Sequence, residues 1–93
     1  VLLEGVLKEG EVENFTALCK EAYKVTRAYD GCHEINLTFN VENKNNFVMT
    51  ETWESKEHYE KYLAFRIENG TVELIGSVCD EGPSIRIFDI TAV

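Results

Sequence analysis

The sequence is poor in the residues that staple, kink or anchor a chain. One proline, one methionine and one tryptophan occur in 93 residues, and the three cysteines, Cys19, Cys32 and Cys79, form no Cys-x-x-Cys pair. An odd, scattered set of thiols supports neither a disulfide framework nor a zinc knuckle, so free thiols in a reducing, cytoplasmic setting are expected. Basic residues are scarce too: nine Lys and Arg stand against 17 Asp and Glu, a net charge of −8. So acidic a chain repels the phosphate backbone and anionic lipid alike, which argues against nucleic acid and membrane surfaces as partners. No apolar run approaches the ~18 residues of a membrane span. The opening residues also lack the basic-then-apolar order of a secretory leader. G-x-S-x-G, P-loop and G-x-G-x-x-G motifs are all missing, so hydrolase elbows and nucleotide sites are excluded and no cofactor is expected.

What is present suits one soluble domain over residues 1–93. Apolar residues make up 44% and aromatics 11% of the chain, enough for a single core, and 28% charged is an ordinary globular share. There are no repeats, linkers or low-complexity tracts.

The hydrophobic period switches along the chain and so marks the elements. Val1 to Lys8 is apolar and β-branched, a first strand closed by Glu9-Gly10. From Glu11 the pattern turns helical, with Phe15, Leu18, Cys19, Ala22, Thr26 and Tyr29 on one face and Asp30-Gly31 as the stop. Cys32 to Glu42 alternates strictly, placing Ile35, Leu37, Phe39 and Val41 on one side. The polar run Glu42 to Asn46 reads as a turn. Phe47 to Trp53 resumes a period of two and puts Phe47, Met49, Glu51 and Trp53 on one face. Ser55 suits the N-cap of a second helix that runs to Asn69-Gly70, with Tyr59, Tyr62, Leu63 and Arg66 along its inward stripe. Val72 to Val78 is ambiguous and fits a short helix. Pro83 opens a last strand over Ser84 to Ile90.

This order, β-α-β-β-α-β, predicts an α+β ferredoxin-like fold: a four-stranded antiparallel sheet with both helices on one face. Its other face needs cover, and a second copy of the chain is the simplest one. Two such sheets face to face form a dimeric α/β-barrel, so a homodimer is expected.

Chemistry concentrates where the third strand meets the second helix. Met49, Glu51 and Trp53 share a strand face, and Tyr59, Tyr62, Leu63 and Arg66 share a helix face. If both sets point inward they enclose either a pocket or a plain aromatic core. Arg66 is the discordant member: it snorkels to the rim, pairs with a buried carboxylate such as Glu51, or awaits an anionic ligand. His58 and His33 are the side chains that titrate nearest neutrality, hence natural general bases, although the helix border and the strand edge they occupy are also ordinary surface positions. Cys32 and His33 point to opposite sides of a strand, and no bound metal is expected.

These residues resemble the antibiotic biosynthesis monooxygenase family. The likeness rests on the Asp30-Gly31-Cys32 turn, Ile35 and Leu37, Phe47-x-Met49-x-Glu51-x-Trp53 and the following Glu54-Ser55-Lys56-Glu57. Tyr62-Leu63-Ala64-Phe65-Arg66 and Gly82-Pro83-Ser84-Ile85 extend it. The resemblance implies oxidation of a small, electron-rich aromatic such as a quinol or an anthrone by molecular oxygen, without metal, flavin or haem. It further implies that Trp53 is an aromatic wall and Tyr59 a donor to a substrate oxygen, and that Arg66 stabilises a phenolate. Many members have a histidine where this chain has Tyr62, which leaves Tyr62 itself or an inward-turned His58 as the base. Met49 stands where the anthrone-oxidising type has asparagine, and the Asn, Trp and His set of haem-degrading relatives is not assembled. The rival expectations are a pocket on the same barrel that binds a hydrophobic ligand or cyclises one without consuming oxygen, and a barrel dimer with no pocket.

Overall fold

Alternation within the strands sets which side chains meet. In the computed structural model, which describes all residues 1–93, the elements are β1 (Leu2–Leu7), α1 (Val12–Ala28), β2 (Cys32–Asn40), β3 (Asn43–Trp53), α2 (Lys56–Glu68), α3 (Thr71–Ser77) and β4 (Cys79–Arg86). The four strands form one antiparallel sheet in the order β2-β3-β1-β4, with the helices on one side. This is the ferredoxin-like arrangement expected from the sequence, with α3 added.

Register builds the core in rows. Leu37 of β2 faces Met49 of β3, which faces Leu3 of β1, which faces Ile85 of β4. One row along, Phe39, Phe47 and Gly5 are partners. Gly5 is required there because a Cβ would lie 2.9 Å from the Phe47 ring. That ring is fully buried and meets Phe15 of α1 at 4.6 Å between centroids. Leu3, Leu7, Phe15, Cys19, Tyr23, Ile35, Phe47 and Met49 thus form a continuous core to which α3 adds Ile75. The opposite face of the sheet carries Leu2, Val6 and Val48 among polar side chains, with Glu4 paired to Arg86 at 3.3 Å.

Three boundaries differ from those expected. The β2–β3 turn is Val41-Glu42, not Glu42–Asn46, so Val41 leaves the inward row and is fully exposed. The Asn40 side chain accepts from Glu42 N at 2.9 Å, and Asn40 Nδ2 donates to Asn46 Oδ1 at 3.0 Å. The polar residues taken for a loop are therefore the start of β3. Residues 71–77 are helical, resolving the ambiguity of that segment. β4 begins at Cys79 and ends at Arg86, whereas Ser84 to Ile90 was expected. Pro83 sits within it at a register shift opposite β1, which an edge strand tolerates because half of its backbone donors face outward. Ile87 to Ile90 lie beyond the sheet.

Candidate functional site

The chain crosses from β3 to α2 in a short, well-capped junction. Ser55 Oγ accepts from His58 N at 3.2 Å, capping the helix as the sequence indicated. Glu54 N donates to Gly31 O at 2.8 Å, tying the end of β3 to the turn before β2. Gly31 has φ +89°, and a Cβ on it would stand 2.6 Å from the His58 ring, so only glycine lets the two segments approach so closely.

Two voids flank this junction. An internal cavity of about 40 Å³ lies between the sheet and the helices, lined by Met49, Glu51, Tyr59, Tyr62, Leu63 and Arg66 together with Cys19, Tyr23 and mostly apolar neighbours. It has room for about three or four waters at roughly 10–15 Å³ each. An outer cleft of about 240 Å³ opens at the end of the sheet. It is lined by Glu51, Trp53 and Tyr59, by Ile87, Phe88 and Ile90 from the segment after β4, and by the charged Glu54, Lys56 and Asp89. Glu51 and Tyr59 border both voids. The Trp53 and Tyr59 rings are 5.6 Å apart in an edge-on arrangement.

Electrostatics divide these residues into two groups. Tyr62, Arg66 and Thr26 form a closed network. Arg66 Nε donates to Tyr62 Oη at 2.7 Å, Tyr62 Oη and Thr26 Oγ1 share a hydrogen bond of 2.6 Å, and Arg66 Nη2 reaches Ala22 O at 2.8 Å and Thr26 Oγ1 at 3.1 Å. Arg66 is 7% exposed and all the acceptors of its guanidinium are neutral. It therefore neither snorkels to the rim nor pairs with Glu51. Burial raises the Tyr62 phenol, and its bonds to Thr26 and Arg66 partly offset this, so it is a poor base.

The second group is Glu51 with Trp53 and Tyr59. Trp53 Nε1 donates to Glu51 Oε1 at 3.0 Å, while Oε2 accepts no hydrogen bond. Burial pushes the Glu51 carboxyl up to about 6 from 4.5, against the pull of the Trp53 hydrogen bond. Burial likewise raises the Tyr59 phenol, keeping it a neutral donor.

His58 joins neither group. Its Nδ1 is 2.6 Å from Ser55 Oγ, its Nε2 lies 3.8 Å from Asp30 Oδ2, and it borders a separate surface groove with Tyr29 and Lys61. Reaching the cleft would require giving up the ring's hydrogen bond to Ser55. His33 is on the surface, 2.6 Å from Glu54. No cluster of three or more His, Cys, Asp or Glu side chains is placed to hold a metal, and no helix is long and apolar enough to cross a membrane. Sequence reasoning missed Tyr23, which lines the inner cavity 6% exposed with its Oη unpartnered. Its spacing of four from Cys19, itself four from Phe15, was the available signal.

Comparison with known proteins places this geometry in context. The family model for antibiotic biosynthesis monooxygenase matches residues 5–65, ending one residue before Arg66. A conserved protein from Methanosarcina mazei Go1 superposes with a TM-score of 0.85 at 21% identity, covering 94% of this chain and 86% of its own. A structure described as an antibiotic biosynthesis monooxygenase gives 0.85 at 18% identity, with 98% and 96% covered. Rv0793 from Mycobacterium tuberculosis gives 0.78 at 15% identity, with 98% and 95% covered. At these identities the likeness establishes the fold alone. No curated protein matches the sequence.

Proposed function

The chain belongs to the antibiotic biosynthesis monooxygenase family, and from that premise we propose that it oxidises a small, electron-rich aromatic with molecular oxygen, without a cofactor, in the outer cleft. The observation that carries this reading is the joint placement of Trp53, Tyr59 and Glu51 around one opening of about 240 Å³. That volume lies below the ~300–1,000 Å³ of drug-sized sites, so a one- or two-ring quinol suits it better than a three-ring anthrone. The 40 Å³ inner cavity is too small for any such ring.

The division of labour follows from the contacts. Trp53 offers an indole wall beside the substrate, and Tyr59 donates to a substrate oxygen. Ile87, Phe88 and Ile90 add apolar surface to the cleft, whereas Met49 and Leu63 line the inner cavity and do not reach it. Tyr62 and Arg66 are positioning residues that hold α2 against α1, since their polar atoms are already engaged with each other and with Thr26 and Ala22. The substrate supplies the electrons: a two-ring quinol and one dioxygen give the hydroxyquinone and one water. The Trp53 indole and the neutral Tyr59 phenol favour this by flanking the reactive anion with an aromatic face and a hydrogen-bond donor.

The active form is a homodimer. Support comes from Leu2, Val6 and Val48 on the open sheet face and from the exposed Phe88 and Ile90 beyond β4, apolar surface that a second copy would cover. A non-oxidative ligand-binding role is the alternative, favoured by the absence of any histidine at the cleft. Oxygen-electrode assays with 1,4-naphthoquinol and anthrone separate the two. Uptake by the wild type that falls in Trp53→Phe and Tyr59→Phe supports oxidation, and no uptake by the wild type refutes it for those substrates.

A further inference from the structure

An oxygenase without a cofactor needs a group that takes the substrate's proton, and neither histidine reaches the cleft. We propose that Glu51 is that group, accepting the hydroxyl proton of a phenolic substrate on Oε2. This rests on the oxidative reading above and names the residue that reading leaves open.

Three geometric facts support it. Glu51 lies on the wall common to the outer cleft and the inner cavity, beside both Trp53 and Tyr59. Its Oε1 is fixed by the Trp53 indole at 3.0 Å, which sets the carboxylate plane and leaves Oε2 as the open acceptor. It is 8% exposed and has no salt-bridge partner, although the Arg66 guanidinium lines the same cavity. An ionised carboxylate in such a place is under-solvated, so protonation relieves it.

In the step itself the substrate O–H bond breaks and its proton forms a new O–H bond on Oε2. The bonding pair stays on the substrate oxygen. A phenolate then faces a neutral carboxylic acid, which avoids two negative charges in contact, and no electron leaves the substrate until dioxygen accepts it. Trp53 thereby acquires a second task, since its N–H holds the base as its ring contacts the substrate.

The groups facing Glu51 do not compete for this role. Tyr23 and Cys19 of α1, Tyr59 and Tyr62 of α2 and Cys32 of β2 are all raised by burial and stay neutral near pH 7. Arg66 of α2, Lys56 at the start of α2 and the Val1 ammonium are the cations nearby, the last bonded to the Glu51 carbonyl at 2.8 Å, and Glu54 and Asp89 are the other acids on the cleft lining.

The test pairs activity with a readout independent of oxygen. Glu51→Gln keeps an acceptor for the Trp53 indole but takes no proton. Naphthoquinol-dependent oxygen uptake is expected to fall about 100-fold or more and to lose the rise with pH through about 6 seen in the wild type. Glu51→Asp retains part of the rate. Under anaerobic conditions 4-nitrophenol serves as the probe, its phenolate being visible by absorbance. Bound to the wild type it ionises at higher pH than when free, because the carboxylate accepts its hydrogen bond and repels its anion. In Glu51→Gln that shift disappears. If Glu51→Gln consumes oxygen as fast as the wild type, or the probe titrates identically in both proteins, Glu51 is not the acceptor. If the wild type consumes no oxygen yet shifts the probe through Glu51, the oxidative reading falls and the placement of Glu51 against the ligand hydroxyl stands.

Discussion

Arg66 donates from Nε to the phenol oxygen of Tyr62, one helical turn earlier, at 2.7 Å, and neither residue lines the cleft that holds Trp53. A buried cation with only neutral acceptors is costly to assemble and equally costly to remove, because its acceptors are left without donors. It fastens α2 to the last turns of α1 through Ala22 and Thr26.

Arg66→Ala should therefore lower stability by about 2–4 kcal/mol, the scale for stranding buried partners of a charged group. Urea denaturation followed by circular dichroism measures it. Arg66→Lys, which retains the charge but not the planar fork, should fall between the alanine variant and the wild type.

Gly31→Ala should be harsher than a turn substitution usually is. It meets a positive φ and a contact of 2.6 Å to the His58 ring at once. Since Gly31 O also anchors Glu54, the change displaces the junction bearing Trp53. A loss of about 2 kcal/mol or more is expected, with a changed Trp53 emission spectrum as a local reporter.

Glu51 should make the protein less stable as pH rises. Its folded pKa, about 6, exceeds the ordinary 4.5, so between those values the folded state binds more protons than the unfolded one. Stability then declines across that window, and the ionised side chain costs about 2 kcal/mol above it. Glu51→Gln should match the wild type near pH 4 and exceed it at pH 7 in urea midpoints. A base kept at the expense of stability is the pattern expected of a functional group.

Much of this was legible locally and the rest was not, for identifiable reasons. The alternation through Phe47, Met49, Glu51 and Trp53 and the Ser55 cap depend on near neighbours, and the structure has them as read. The ends of β4 depend on pairing with β1, where Leu7 meets Cys79 and Leu3 meets Ile85, and the acidic Asp80-Glu81 gives no apolar period to mark it. Asn43 to Asn46 read as a loop by composition, yet side-chain bonds to Asn40, Glu4 and Glu9 hold them in the sheet. The partners of Arg66 lie some forty residues away on α1, beyond the reach of any local pattern. The base was obscured because histidine chemistry draws attention first, whereas burial and not residue type tunes Glu51.

The open sheet face should mediate assembly. Val48→Lys places a charge between its cross-strand partners Glu4 and Thr38, on the face turned away from the core. It should convert a dimer on gel filtration into a 10.6 kDa species at micromolar concentration. A wild type that elutes at 10.6 kDa at every concentration would contradict the dimer.

The central claim, that this chain oxygenates a small aromatic in the Trp53 cleft, is tested most directly by turnover of 1,4-naphthoquinol under ¹⁸O₂ with mass analysis of the product. The account predicts one labelled oxygen atom in the hydroxyquinone formed by the wild type and loss of that product in Glu51→Gln and Trp53→Phe. Recovery of unlabelled product, or of equal labelled product without the protein, would contradict it.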